Sequence, residues 1–228
     1  MIKIYKVGGA VRDEILGVKS KDVDYAVEAP SWDAMKDYIS SKGKIYLESK
    51  QYFTIRAKMP ELGDADFVLC RKDGEYSDGR RPDAVQIGTI YDDLARRDFT
   101  MNAIAIDTET NQILDPFCGR EDISKSIIKC VGKAEDRIAE DSLRMLRAIR
   151  FAVTKNFTID NVIKKVLESE YKLILNVSED RIREELFKAF KHDTLKTLKI
   201  LHEYPSIMEL LFTNFNIRLE PKSFVKGK

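Results

Sequence analysis

Residues 5–28 read YKVGGAVRDEILGVKSKDVDYAVE, and the rest of the chain is organised around this stretch. Its pattern predicts a strand, a glycine turn, a short helix, a polar loop and a second strand, over residues 3–7, 8–9, 10–16, 18–21 and 23–27. Asp22 and Asp24 stand two residues apart where the second strand opens, so both side chains lie on one face of it. Two carboxylates beside a glycine turn indicate a divalent metal ion and a phosphate group, because magnesium binds carboxylates together with substrate phosphates.

The glycine turn is the predicted phosphate site. Gly8 and Gly9 permit a tight turn and allow backbone N–H groups to approach a ligand closely. A helix that begins after two glycines presents its positive end to anions, and Arg12 in its first turn can pair with a phosphate. Taken alone, these residues also fit an ordinary strand–turn–helix corner, and the two aspartates also fit the solvated start of a strand.

The composition is typical of a globular protein. Of 228 residues, 43% are hydrophobic and 34% are charged, and the net charge of +1 gives no general indication of nucleic-acid binding. No apolar run is long enough to span a membrane, and the N-terminal segment MIKIYKVGG lacks the apolar core of a signal peptide, so we expect a cytoplasmic protein. Cys70, Cys118 and Cys130 show no CxxC spacing, which favours small apolar packing residues over zinc ligands or disulfides.

Further strands follow the second one. We expect a packing helix, a strand, a turn and another strand, over residues 32–41, 51–58, 60–65 and 66–71. If the last of these strands neighbours the strand of the paired aspartates, Asp66 completes a cluster of three carboxylates, and otherwise it is a surface carboxylate. Residues 72–83 form a predicted loop that carries two adjacent arginines, Arg80 and Arg81.

Three polar residues of the next segment are also candidates for the site. If residues 91–101 are helical, Arg97 and Asp98 lie near each other at the exposed end of this helix, and Asn102 follows it. The segments after it are predicted as a strand, a turn and a short apolar run, over residues 102–106, 115–123 and 127–131.

From about Ala134 onward the pattern is helical, and no strand is predicted. A long helix is expected over residues 136–154, with a buried stripe of apolar side chains. This stripe consists of Ile138, Met145, Leu146, Ile149 and Val153. Further helices are predicted over residues 160–170, 179–191, 193–204 and 207–212.

The long helix carries a cluster of charged residues. Glu140, Asp141 and Arg144 lie within one helical turn of each other, and Arg147 and Arg150 continue outward from them. Surface ion pairs on a solvated helix face explain this spacing as well as a binding function does.

Five motifs resemble, in order, those of the class II tRNA nucleotidyltransferase and poly(A) polymerase family. They are GGAVRD with KDVDYAV, RRDFTMNAIAID, DPFCGREDI, EDSLRMLRAIRFA and EDRIREELFKAF, at residues 8–13 with 21–27, 96–107, 115–123, 140–152 and 179–190. The resemblance extends from Lys3 to Phe190. Each motif alone is weak, but five in the family's order are highly specific.

The resemblance implies an α+β nucleotidyltransferase head of the polymerase-β type with a small mixed β-sheet over residues 1–134, followed by an all-helical segment over residues 135–228. It also implies that Asp22 and Asp24 hold two magnesium ions and that Asp66 takes the third acidic position. The nucleotide would lie in a cleft between the two parts. The implied nucleotide-binding residues are Gly8, Gly9, Arg12, Arg97, Asp98, Asn102, Asp141, Arg144, Arg147 and Arg150.

The implied reaction is attack of an RNA 3′-hydroxyl on the α-phosphate of CTP or ATP, which adds CCA to the 3′ end of tRNA and releases pyrophosphate. Asp141 and Arg144 would pair with the edge of the base and replace a nucleic-acid template. Contacts to tRNA are expected to read phosphates and shape, and neither DNA nor a membrane is an expected partner. A poly(A) polymerase, an enzyme that adds only the terminal A, and a non-catalytic RNA- or nucleotide-binding relative stay as alternatives.

Family members that add CCA usually continue into further helical domains that grip tRNA, whereas the helical part here ends at Lys228. The resemblance therefore implies either a minimal enzyme or a different grip on tRNA. The predicted loop with Arg80, Arg81 and Pro82 resembles the flexible loop of enzymes that complete CCA, which argues against addition of CC alone.

Overall fold

A computed structural model of the chain describes residues 1–20, 22–74, 85–215 and 217–218. Its strands are β1 (Lys3–Val7), β2 (Asp24–Glu28), β3 (Lys44–Ser49), β4 (Thr54–Met59), β5 (Gly63–Leu69), β6 (Arg71–Asp73), β7 (Val85–Ile87), β8 (Ala105–Asp107), β9 (Ile113–Leu114), β10 (Ile127–Ile128) and β11 (Thr158–Ile159). Its helices are α1 (Gly9–Ile15), α2 (Trp32–Lys42), α3 (Ile90–Ala95), α4 (Gly119–Ser124), α5 (Ala134–Glu140), α6 (Leu143–Thr154), α7 (Asn161–Ser169), α8 (Glu179–His192), α9 (Thr194–His202) and α10 (Pro205–Thr213).

The resemblance implies a small mixed sheet in the head, and the mixed sheet is confirmed; it has seven strands in the order β3-β4-β5-β2-β1-β8-β9. β1 is antiparallel to both β2 and β8, whereas β2 and β5 are parallel. In the register of that parallel pair Asp24 lies beside Asp66, so the two carboxylates stand on neighbouring strands. The strand of Asp66 therefore neighbours the strand of the paired aspartates, which is the arrangement that a role of Asp66 requires.

One face of this sheet is covered by α2. The Ser31 side chain accepts the N–H of Ala34 and caps the helix, and Gly43 ends it. Trp32, Met35 and Ile39 form the buried side of the helix and pack in one core with residues of β4 and β5. This helix stabilises the head, which is the packing role that the sequence assigns to it.

The short helix α1 belongs to a different core. Val11 is fully buried in a cluster that also contains Phe99 and Met101 of the head and the apolar stripe of α6. The glycine turn in front of α1 therefore faces the helical part of the chain. This packing places the predicted phosphate site where the strands of the head and the helices of the second half meet.

Several predicted boundaries in the head are wrong. β3 is not predicted because it is an edge strand with mostly exposed side chains, which gives no alternating pattern. Phe53 adopts a left-handed conformation (φ 56°) after a 3₁₀ turn, so the strand predicted from residue 51 begins at Thr54. β5 begins at Gly63, inside the segment predicted as a turn, because residues 63–68 pair with β4 over its full length.

The predicted loop over residues 72–83 is in part a strand, since β6 reaches Asp73 and pairs with β7. The arginines Arg80 and Arg81 lie outside the residues that the structure describes. Cys70 and Cys130 are buried, as predicted for packing residues, whereas Cys118 is exposed.

The long helix predicted over residues 136–154 is two helices. Asp141 is extended (φ −146°, ψ 98°) and separates α5 from α6. Its carboxylate accepts the backbone N–H of Leu143, at 3.3 Å, in place of a helical hydrogen bond. Aspartate and serine side chains compete with the helix for backbone groups in this way, and periodicity does not reveal it. The predicted buried stripe of this region is confirmed.

Two other features of the second half follow from the structure. The prediction of no strand after Ala134 is wrong, because the two-residue strand β11 pairs in parallel with β10. Among the described residues, no helix has the length and apolar character needed to cross a membrane.

Candidate active site

A cleft of about 650 Å³ lies between the glycine turn, the start of β2, the segment after α3 and the facing sides of α6 and α8. Its lining residues are Gly8, Gly9, Arg12, Asp22, Asp24, Arg97, Asp98, Asn102, Asp141, Leu143, Arg144, Arg147, Arg150, Phe151, Arg181 and Lys188. Every site residue predicted from the sequence is in this set except Asp66. The lining carries seven arginines or lysines and four aspartates, so the cleft favours an anionic ligand.

The glycine turn is packed against an arginine. Gly8 has a positive φ of 69°, and a Cβ at this position would lie 2.8 Å from Nη1 of Arg97. The positive φ favours glycine at this turn, and the missing Cβ leaves room for the guanidinium of Arg97. Arg12 of α1 is buried and donates from Nη1 to Oδ1 of Asn102 at 2.6 Å. These contacts fix two cationic groups beside the start of α1.

Asp22 and Asp24 form the acidic end of the cleft. Burial raises the pKa of Asp24; Arg97 lowers this pKa, but Asp66 and Asp22 raise it again, and the net pKa is raised. Among the residues that the structure describes, neither the Asp22 nor the Asp24 carboxylate has a hydrogen-bond or ion-pair partner. Two carboxylates that line the same cleft and accept no hydrogen bond from the described residues fit a divalent cation such as magnesium.

Asp66 behaves differently from the other two aspartates. Arg56 of β4 binds it with two hydrogen bonds of 2.8 Å, and Asp66 does not line the cleft. Within residues 1–20, 22–74, 85–215 and 217–218, no group of three or more acidic, histidine or cysteine side chains is close enough to hold a metal ion. The predicted participation of Asp66 stays a prediction.

Asp98 connects the head to the helical half. The helix predicted over residues 91–101 ends at Ala95, and the Asp98 carboxylate accepts the backbone N–H of Phe99 at 2.8 Å and the Asn102 amide at 2.9 Å. Arg147 of α6 donates to its other oxygen from Nε and Nη2, at 2.8 and 2.5 Å. Asp98 is therefore a largely enclosed ionic centre and not, as the sequence suggests, part of an exposed helix end.

Burial raises the pKa of Asp98, but the Arg147 guanidinium and the hydrogen bonds from Asn102 and Phe99 lower it more. The net pKa is about 2. Asp98 is consequently ionised over the whole range in which the protein is expected to work.

Two further arginines attach the helical half to the same segment. Arg137 of α5 donates from Nη2 to the carbonyl oxygens of Arg96 and Arg97, at 2.5 and 2.9 Å. Arg144 of α6 donates to the carbonyl of Arg137 at 2.5 Å and to that of Arg96 at 3.3 Å, and it also pairs with Glu140 at 3.0 Å. Arg144 therefore lines the cleft as predicted, but protein groups already bind part of its guanidinium.

Helix α8 supplies site residues that the sequence argument does not assign. Arg181 binds both oxygens of Asp141, at 3.2 and 3.0 Å, and Glu185 accepts from Nε of Arg150 at 2.5 Å. Lys188 lies on the same side of the helix. The spacing of these three residues, i, i+4 and i+7, is the signal that marks one charged face of α8, and it is visible in the sequence.

Phe151 of α6 also lines the cleft without being predicted from the sequence. The guanidinium carbons of Arg150, Arg12 and Arg147 lie 3.9, 5.1 and 5.6 Å from the centre of its ring. Contacts of this kind between cations and an aromatic face are attractive and partly offset the repulsion among three neighbouring positive charges. The ring therefore packs against guanidinium groups of both α1 and α6 on one wall of the cleft.

The fold is that of a nucleotidyltransferase head of the polymerase-β type followed by a helical half. Its defining features are a mixed sheet, paired carboxylates at the start of one strand and a glycine turn in front of a short helix. The model of the poly A polymerase head domain matches residues 4–129. The chain therefore belongs to the poly A polymerase head-domain family.

Similar proteins include CCA-adding enzymes and a tRNA nucleotidyltransferase. The chain is 40% identical over 186 residues to a CCA-adding enzyme of Geobacillus thermodenitrificans, an alignment that covers 81% of this chain and 44% of the relative. It resembles the crystal structure of the Bacillus stearothermophilus CCA-adding enzyme in complex with CTP, with a TM-score of 0.77, 33% identity and coverage of 89% of this chain and 48% of that one. A tRNA nucleotidyltransferase complexed with a primer tRNA and an incoming ATP analog gives a TM-score of 0.75 at 27% identity, covering 96% of this chain and 61% of that one. The chain thus spans about half the length of the curated relatives that it matches.

The low pKa of Asp98 predicts an acid-dependent loss of stability. Because the folded pKa of about 2 lies below the ordinary value of 3.8, its contribution is complete above the ordinary value and is lost as the pH falls towards 2. Asp98→Asn should therefore lower the free energy of unfolding by about 2 kcal/mol near neutral pH, and this difference should shrink on acidification. Urea titrations across this range measure it.

The control is Asp37→Asn, which changes an exposed carboxylate on α2 in the same way. A destabilisation by Asp98→Asn that stays constant down to the most acidic pH would show that the carboxylate is not held ionised by its partners.

Proposed function

We propose that this protein adds CCA to the 3′ end of tRNA, using CTP and ATP with two magnesium ions. The observation that carries the proposal is the arrangement of the cleft: Asp22 and Asp24 at one end, without protein partners among the described residues, face guanidinium groups contributed by both the head and the helices. A nucleoside triphosphate has the matching charge, since its phosphates bind both magnesium and arginine. The CTP, ATP analog and primer tRNA bound to the similar enzymes support the same assignment.

The reaction that fits this cleft is a phosphoryl transfer. The oxygen of the RNA 3′-hydroxyl attacks the α-phosphorus, the bond from that phosphorus to the bridging oxygen breaks, pyrophosphate leaves, and the hydroxyl proton passes to solvent. Asp22 and Asp24 would hold magnesium, which would lower the pKa of the hydroxyl and neutralise negative charge on the leaving pyrophosphate. Arg12, Arg147 and Arg150, gathered around Phe151, orient the triphosphate and balance its charge.

Base selection is assigned to the corner between α5 and α6. The Asp141 carboxylate accepts a hydrogen bond from the amino group of cytosine or adenine, and the Arg144 guanidinium donates to the neighbouring ring nitrogen or carbonyl. In addition, Arg97, Asp98 and Asn102 adjoin the glycine turn, where they orient the sugar and phosphates. We assign these roles to the residues as a consequence of the proposed activity.

The proposal includes the division of the chain into a catalytic head, residues 1–134, and a helical part, residues 135–228. The family model that matches residues 4–129 supports this boundary. Cationic side chains of the helical part would bind tRNA phosphates. A location in the cytoplasm and a catalytic role of Asp66 stay predictions from the sequence.

A poly(A) polymerase, or an enzyme that adds only the terminal A, is the second candidate, favoured by the family model of a poly A polymerase head domain. A non-catalytic binding protein is less consistent with Asp22 and Asp24, whose carboxylates have no partner among the residues that the structure describes. Sequencing of reaction products distinguishes these functions.

The protein is incubated with magnesium and three tRNA transcripts that end in the discriminator base, in C and in CC, with CTP, ATP or both. We expect ordered addition of C, C and A, followed by a stop. Long A tails would replace the proposal by a poly(A) polymerase, A added only after CC would replace it by an A-adding enzyme, and no incorporation would contradict catalysis.

Replacement of one metal-binding carboxylate tests the assigned chemistry. Asp24→Asn removes a negative ligand without a change in shape, so nucleotide incorporation should fall by roughly a hundredfold or more while the unfolding midpoint stays close to that of the unchanged protein. Asp37→Asn on α2 is the matched control and should keep full activity. Full turnover by a folded Asp24→Asn protein would contradict the metal assignment.

A further inference from the structure

Arg181 of α8 forms the most direct contact with the carboxylate proposed to select the base. Its Nη1 and Nη2 donate to the two oxygens of Asp141, at 3.2 and 3.0 Å, although the residues are 40 positions apart in the chain. Both side chains line the cleft and are mostly covered, with 25% of Arg181 and 18% of Asp141 exposed. A two-pronged contact of this kind fixes the plane of a carboxylate as well as its position.

The remaining contacts of Asp141 complete its orientation. Oδ1 also accepts the backbone N–H of Leu143, at 3.3 Å. An ionised carboxylate has about four acceptor positions, and three of them are filled by these described contacts, which leaves about one for a ligand in the cleft. A ligand in the cleft can therefore approach the carboxylate of Asp141 from a single direction.

We propose that Arg181 is a positioning residue that determines base specificity by holding the Asp141 carboxylate in this orientation. The inference rests on the proposed function. Cytosine and adenine present an amino group where uracil and guanine present a carbonyl oxygen. A carboxylate fixed opposite that position accepts from the amino group and repels the carbonyl, whereas a carboxylate that can turn away tolerates both.

Arg144, the other predicted base-reading residue, does not restrict Asp141 in this way. Its guanidinium is bound to the carbonyls of Arg137 and Arg96 and to Glu140. Among the described residues Arg181 is the cationic side chain in hydrogen-bond contact with the Asp141 carboxylate. Specificity thus depends on the docking of α8 against the corner between α5 and α6.

The chain offers a matched control on the same helix. Arg183 stands two positions further along α8, pairs with Glu179 on the surface and does not line the cleft. Arg183→Gln therefore makes the same chemical change as Arg181→Gln without affecting Asp141. Unfolding midpoints of both variants are measured first, and Arg181→Lys, which keeps the charge but loses the planar fork, is the second variant if Arg181→Gln does not fold.

The test measures two quantities for CTP, ATP, UTP and GTP: binding to the full chain by equilibrium dialysis without RNA, and kcat and KM on a tRNA transcript. We expect Arg181→Gln to reduce the preference for CTP over UTP by roughly tenfold, chiefly because UTP is accepted better, and we expect Arg183→Gln to keep the preference. Arg181→Lys should lie between Arg181→Gln and the unchanged protein.

An Asp141→Ala background separates positioning from a general structural effect. If Arg181 acts through Asp141, Arg181→Gln should have no further effect on base preference in that background. The inference would be overturned if folded Arg181→Gln lost binding and kcat/KM equally for all four nucleotides, or if its base preference were unchanged. CCA addition by the unchanged protein would still support the proposed function in either case. Equal binding of all four nucleotides by the unchanged protein would overturn the base-selecting role of Asp141 and the inference together.

Discussion

The ion pair between Asp98 and Arg147 is the interaction on which the site depends. It joins the segment after α3, which belongs to the head, to α6, which belongs to the helical half. A carboxylate that is this enclosed is stable only with its charge compensated, because an unpaired buried charge costs several kcal/mol. The head and the helices must therefore be assembled together for the Asp98 charge to be compensated by a cation, and the cleft forms at that junction.

Other contacts fix how the helical half is oriented on the head. Arg137 and Arg144 bind the carbonyl oxygens of the segment that carries Asp98, so three arginines of the helical half converge on three consecutive residues of the head. The same segment places Arg97 against the glycine turn and Asn102 against Arg12. A change in how the helices dock would consequently move the cationic wall relative to Asp22 and Asp24 at the start of β2, where catalysis is proposed to occur.

Local patterns made the core of this arrangement predictable. The strand–turn–helix–strand unit, the paired aspartates and the buried stripe of α6 follow from periodicity and glycine placement, and the structure reproduces them. The break at Asp141 was not predictable from periodicity, because the apolar stripe continues through it while a side-chain hydrogen bond ends the helix. The roles of Arg181 and Glu185 are not predictable from the sequence, because their partners lie 40 and 35 positions away and such tertiary contacts leave only the weak signal of a charged helix face. Arg147 and Arg150 are close to Phe151 in the sequence, but its contact with Arg12 of α1 is tertiary.

A double-mutant cycle with Asp98→Ala and Arg147→Ala tests most directly whether this ion pair organises the cleft. The free energy of unfolding and the affinity for CTP are measured for the unchanged protein, both single variants and the double variant. We expect a coupling free energy of about 1–3 kcal/mol in stability, and a loss of CTP affinity in the double variant that is no larger than in the more affected single variant. Effects that add, to within about 0.5 kcal/mol, in both quantities would contradict it.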